Sequence, residues 1–199
     1  MSGPTLNTAI LTASQASMAN LILSRMQSAG WSPFVAAAAV ANAYRESRLN
    51  PLAFGDHGHS QGIFMLNDNG GAGVGMSVAD RQNPEKNIDR IMQQMRASKS
   101  FSALAATSLS IPDLAKAFCV YVERPADKAV EGAKSEAYAL TLFPPIFSGN
   151  SGGSALARAS GTSEKDPWVP AGLILGVGVL ASALLLRRRA QMRRSSPSF

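Results

Sequence analysis

Glu46 stands where an alanine-rich run from Ser32 to Arg45 gives way to the turn-like residues Ser47 to Pro51. The run reads as a helix, and the unpaired carbonyls at a helix C-terminus disfavour an ionised carboxylate. A surface built for stability would carry Lys or Arg there. A carboxyl group held protonated near neutral pH is what general acid catalysis requires, so Glu46 is the candidate catalytic residue. Its structural alternative is an ion pair with Arg45 or Arg48. Asp56 and Glu123 are the candidate second carboxylates, and each has a plain explanation of its own. Asp56 suits an Asx-type bond within its loop, and Glu123 suits an ion pair with Arg124 or Lys128. A solitary Glu46 would favour a mechanism in which one group serves as acid and then as base.

Other chemistry is poorly served. His57 and His59 make a His-x-His pair, but two ligands do not make a site and no third histidine exists, so neither metal nor cofactor is expected. The stretch from Gly70 to Gly75 lacks the Gly-Lys-[Ser/Thr] ending of a phosphate cradle and reads as a mobile glycine loop. Cys119, the single cysteine, lies in an apolar run and reads as a packed core thiol.

The elements that must position these groups are helical. Leu11, Met18, Ile22 and Met26 form one stripe of a helix over residues 5–29, with Gly30 as its stop. Ser32 and Pro33 read as N-cap and first position of the next helix, running to about Glu46. Asn83 and Pro84 open another, with Ile88, Ile91, Met92 and Met95 buried. Pro112 opens a further one with Leu114, Ala117, Phe118 and Tyr121 inward, ending near Arg124 and Pro125. A last helix carries Tyr138 and Leu140. Residues 50–80, rich in Gly, Asn and Asp around Ile63 to Leu66, read as a loop or small β-hairpin inserted between helices. The fold class is mainly α, of the α+β kind.

Net charge is +6 over 199 residues, but Arg187, Arg188, Arg189, Arg193 and Arg194 account for nearly all of it. The body has no basic stripe interleaved with aromatics, which argues against nucleic acid as a partner. Residues 169–186 carry no charge and as a helix would reach about 27 Å, close to the thickness of a bilayer core. Trp168 stands at one edge and the arginines at the other, as interfacial anchor and positive flank. Four parts result: a globular domain at 1–143, a Gly/Ser/Pro-rich linker at 144–167, a transmembrane helix at 168–186 and a basic cytoplasmic-side tail at 187–199. Gly172 and Gly176 give one small-xxx-small spacing, a weak pairing signal. No basic n-region precedes an apolar core near the N-terminus, so no cleavable signal is expected. That combination suits a protein of a virion membrane or of the bacterial inner membrane, with the large domain on the non-cytoplasmic side.

A more specific likeness lies in the order Glu46, Ser47, Arg48, Leu49, Asn50, Pro51, then Gly55, Asp56, and Ser60, Gln61, Gly62, Ile63, Phe64. With Tyr121, Val122, Glu123, Arg124 and Pro125 near the domain's end, it resembles the lysozyme-like superfamily of soluble lytic transglycosylases and goose-type lysozymes, and most closely the phage tail-type lysozyme domain. The match covers about residues 30–140. The resemblance implies that Glu46 is the acid/base acting between N-acetylmuramic acid and N-acetylglucosamine. It implies substrate contacts by Ser60, Gln61, Gly62, Asp56, Tyr121 and Glu123. Met65 departs from the pattern, since many relatives carry Gln there, which puts one substrate contact in doubt.

The expected function is that of a membrane-anchored peptidoglycan lytic transglycosylase, with a muramidase-type hydrolase as the alternative. It would be a phage virion protein opening the wall as the genome enters or at lysis. Its partners would be peptidoglycan glycan strands, a lipid bilayer through residues 169–186 and other virion membrane proteins. The rival is a non-enzymatic virion or envelope protein that keeps a lysozyme-like fold to bind glycan. A holin-like lesion protein fits less well, because one span accompanies a large domain.

Overall fold

A computed structural model gives the fold, and residues 3–145 are described. Among these residues there are seven α-helices and a three-stranded antiparallel sheet. The helices are α1 (Ala13–Ser28), α2 (Pro33–Ser47), α3 (Val78–Gln82), α4 (Pro84–Ala97), α5 (Lys99–Ala105), α6 (Ile111–Phe118) and α7 (Lys128–Leu142). Strands β1 (Phe54–Gly55), β2 (Ser60–Gln61) and β3 (Leu66–Asn67) lie between α2 and α3.

Helix α2 is the axis of the domain. Every residue from Val35 to Ala43 is buried, because α1, α6 and α7 pack around it. A helix covered on several sides must be apolar all round, and its alanines let neighbouring backbones approach. Ser32 starts it, its Oγ accepting the Val35 N–H at 3.2 Å, with Pro33 in the first turn as expected. One polar group interrupts this core. Asn42 is fully buried and donates to Ala38 O and Ala115 O, both at 2.9 Å, while its Oδ1 accepts from Ser135 Oγ at 2.9 Å. Three helices are thereby fixed in register by one amide.

Two expected elements are corrected. The first helix begins at Ala13 and not near residue 5, because Thr12 and Gln15 close a capping box. Residues Thr8–Ile10 form a separate 3₁₀ turn before it. The helix opened by Pro112 does not run as α-helix to Arg124. It changes at Phe118 into a π turn over Cys119–Glu123, closed by the Arg124 N–H bonding to Cys119 O at 3.0 Å. The wider turn shifts the register, so Leu114, Phe118 and Val122 face the core while Tyr121 is turned out, 40% exposed. Leu140, expected on the last helix, is also exposed.

Within residues 50–80 the hairpin expectation holds and a third strand is added. Phe54 pairs with Gln61 and Gly55 with Ser60; Ser60 pairs with Asn67 and Gln61 with Leu66. Ile63, Phe64 and Leu66 are buried, so the short apolar run is the part of the sheet that joins the core. Cys119 is buried as expected, and burial pushes its thiol up to about 11. Among the described residues no helix is long and apolar enough to cross a membrane. The expected span at 168–186, the tail at 187–199 and nearly all of the linker lie outside the described residues.

Replacing Asn42 with Ala removes the bonds to Ala115 O and Ser135 Oγ that tie α2 to α6 and α7. Urea unfolding should show a loss of about 2–4 kcal/mol, with the slope of the transition unchanged.

Candidate active site

The end of α2 is tied to the sheet before it presents any functional group. Ser47 Oγ donates to Ile63 O at 2.8 Å, and the chain then leaves the helix through Arg48 and Leu49 in left-handed conformations. Glu46, in that last turn, faces a cleft of about 620 Å³. Its opposite walls come from the sheet (Asp56, Ser60, Met65), the glycine loop at Gly70 and Gly71, and the end of the π turn (Glu123 to Pro125).

Beneath Glu46 lies a charge cluster centred on Arg45. The side chain of Arg45 is only 8% exposed. Its Nη2 donates to both Glu46 Oε1 and Glu123 Oε2, and its Nη1 donates to Glu131 Oε2 at 2.8 Å. One guanidinium thus faces three carboxylates, supplied by α2, the π turn and α7. Lys134 also pairs with Glu131 at 2.7 Å, which leaves Arg45 to serve the two more buried carboxyls, Glu46 and Glu123, and favours their protonated forms. Burial pushes the Glu46 carboxyl up, Arg45 opposes this, and Glu131 adds to the rise. Burial, then the nearby Glu46 charge, raises Glu123 to about 8. Glu131 reaches solvent and is held low, chiefly by Lys134.

Asp56 shows the reverse behaviour in the same cleft. Ser60 Oγ donates to its Oδ2, Asn67 Nδ2 donates at 3.3 Å, and these bonds hold the carboxyl below its ordinary value. Asp56 and His57 both have positive φ, so the β1–β2 turn is bent to present the carboxylate. Met65, with φ of 45°, bends the chain again before β3 and lines the cleft.

Of the residues singled out from sequence, Glu46, Asp56, Ser60 and Glu123 meet on this cleft, whereas Gln61, Gly62 and Tyr121 do not line it. Gln61 is buried and donates to Gly58 O at 2.8 Å. Gly62 has φ of 83°, and a Cβ there would come within 2.0 Å of Arg81 O. These two residues hold the sheet against α3 and α4. Glu46 is not solitary: two further carboxylates share its cleft. Neither expected partner of Glu123 pairs with it, because the π turn delivers it to Arg45. His59 bonds Asp68 at 2.8 Å, and no metal-holding cluster exists among the described residues.

A family model described as phage tail lysozyme matches residues 17–144, from within α1 to just past α7, and so includes the residues that line this cleft. The chain belongs to the phage tail lysozyme family. No curated protein matches it. Membership of the phage tail lysozyme family points to a peptidoglycan-cleaving phage protein, and glycan strands are the matching binding partner.

Three positions of this lysozyme-like domain escaped sequence reading. Arg45 stood out only as a possible partner of Glu46. Arg81, 2% exposed, bonds Asp68 at 2.7 Å and the carbonyls of His59 and Leu66, pinning the sheet. Asn87 Oδ1 accepts the Phe64 N–H at 3.1 Å, and its Nδ2 donates to Arg81 O at 2.7 Å. Their signal was a polar residue inside a buried stripe, clearest at Asn87 beside Ile88.

The raised carboxyls make a thermodynamic prediction. A Glu held at about 8 in the folded state and near 4.5 when unfolded binds its proton more tightly when folded. Stability therefore falls as pH rises from about 4.5 to about 8 and levels off above that. Glu123→Gln, which keeps the shape of the neutral acid, should flatten this fall in denaturation curves taken across that range.

Proposed function

We propose that the domain cleaves the N-acetylmuramic acid to N-acetylglucosamine bond of peptidoglycan with Glu46 as general acid and Asp56 as the second carboxylate. The observation that carries this reading is the pair's opposite environment within one cleft: burial favours the neutral form of Glu46, and hydrogen bonds favour the ionised form of Asp56. Two carboxyl groups pushed apart in this way divide the work of glycoside cleavage. Glu46 gives its proton to the leaving oxygen as the glycosidic bond breaks. Asp56 stabilises the positive charge developing on the sugar, and water supplies the new hydroxyl after passing its proton to Glu46. Arg45, itself held by Glu123 and Glu131, holds Glu46 in place.

A second reading, lytic transglycosylation, is favoured by the bonds from Ser60 and Asn67 that already occupy one oxygen of Asp56. In that case the muramyl 6-hydroxyl attacks within the same sugar and Glu46 alone is acid and base. Mass analysis of fragments released from purified walls separates the two: reducing ends for hydrolysis, anhydro-muropeptides for transglycosylation. Glu46→Gln should lower the release rate by about 10²-fold to 10⁴-fold. Undiminished release by that variant would reject Glu46 as the catalytic acid, and no release by the wild type would leave glycan binding without cleavage as the surviving function.

We further propose that residues 168–186 tether the enzyme to a virion or bacterial inner membrane, with the lysozyme-like domain on the non-cytoplasmic side. The uncharged run between Trp168 and Arg187 supports this. Val177→Arg places a charge mid-span at a cost of about 2.5–3.5 kcal/mol, and should move the protein from the membrane pellet to the soluble fraction. A wild-type chain found wholly in the soluble fraction would count against the tether.

A further inference from the structure

A second concavity lies beside the cleft and shares a wall with it. It holds about 250 Å³ and is lined by Lys99, Arg124 and Lys128 together with Ser98 and Tyr121. Arg124 belongs to both concavities, standing on the ridge between them. No acidic residue lines the smaller one. Among the described residues, none of its three cations is engaged in an ion pair. Elsewhere in the domain Arg25, Arg45, Arg81, Lys86, Lys116 and Lys134 have carboxylate partners, while Arg48, Arg90 and Arg96 bond a phenol or backbone carbonyls.

The π turn creates this arrangement. By turning Tyr121 outward it forms an aromatic wall, and by ending in a left-handed Arg124 it sets the guanidinium on the ridge. Arg124 Nε donates to Tyr121 O at 3.3 Å, which orients the group and leaves its two terminal nitrogens for a ligand. A planar guanidinium with two ammonium groups nearby matches a carboxylate-bearing ligand, because the fork accepts two oxygens and the lysines add charge from either side.

We propose that this depression binds the acidic stem peptide of peptidoglycan while the glycan lies in the cleft. The inference rests on the glycan-cleaving reading for the identity of the ligand. The stem is attached to muramic acid, so a strand seated over Glu46 carries its free carboxylates close to the ridge. A site joined to the cleft by one residue suits a group covalently joined to the sugar. The consequence is a preference for walls whose stems carry free acids over walls whose stems are amidated.

The test measures binding by the full chain of an N-acetylmuramyl tripeptide, which has no glycosidic bond to cut, by fluorescence or NMR titration. Lys99→Ala combined with Lys128→Ala should weaken the peptide about tenfold. Lys116→Ala, outside the depression, should leave it bound as in the wild type. The amidated tripeptide should bind the wild type about as weakly as the acid binds the double variant. Equal affinity of wild type and double variant for the acidic peptide would overturn the proposal. A parallel loss for a tetramer of N-acetylglucosamine would overturn it too, by showing general damage to the cleft. A glycerol phosphate oligomer bound as tightly as the peptide would assign the depression to wall phosphate instead. Because nothing is cleaved in these titrations, failure of the Glu46 assignment would show separately in the wall-release assay.

Discussion

The bonds from the Arg45 guanidinium to three carboxylates hold the site together. Glu46, Glu123 and Glu131 come from three separate elements, and among the described residues Arg45 is the one cation bonded to all three. Buried ion pairs of this sort are weak evidence for stability, since desolvation offsets much of the attraction. Their effect here is to fix geometry and, with Lys134 serving Glu131, to leave Glu46 and Glu123 sharing one buried cation. Helix packing supplies the rigidity this requires. With α2 enclosed and Asn42 pinning α6 and α7 to it, Arg45 cannot follow one carboxylate without losing another.

The two sides of the cleft are built on different physics. On the helical side, burial pushes the Glu46 and Glu123 carboxyls up. On the sheet side, short strands and residues of positive φ expose a carboxylate to hydroxyl and amide donors, which keep Asp56 ionised. The sheet is too small to stand alone. Ser47, Arg81 and Asn87 bind it to the helices through its carbonyls and amides, so its position is set by the core and not by its own pairing.

Much of this was legible in sequence wherever local rules governed. Ser32 with Pro33 and Asn83 with Pro84 mark helix starts by chemistry that acts within four residues, and the stripe Ile88, Ile91, Met92, Met95 is buried as its spacing requires. Glu46 was conspicuous because a carboxylate at a helix end contradicts a local preference. What stayed hidden depends on contacts distant in sequence. Arg45 and Glu123 are 78 positions apart, and the π turn that joins them has no residue signature that an α-helix lacks. Tyr121 was accordingly placed on the wrong face. Gln61 and Gly62 were read as glycan contacts because their motif resembles a cleft-lining segment, although alternation along a strand and the approach of Arg81 turn them away from the cleft that Ser60 lines.

The widened π turn also couples the cleft and the hollow mechanically. Were the same residues wound as ordinary α-helix, everything beyond the turn would sit about 100° further round the axis. Glu123 would leave Arg45, and Arg124 would leave the ridge, in a single step. The acid cluster and the neighbouring cationic hollow thus hang on the winding of one backbone turn, and neither can be reshaped there without disturbing the other.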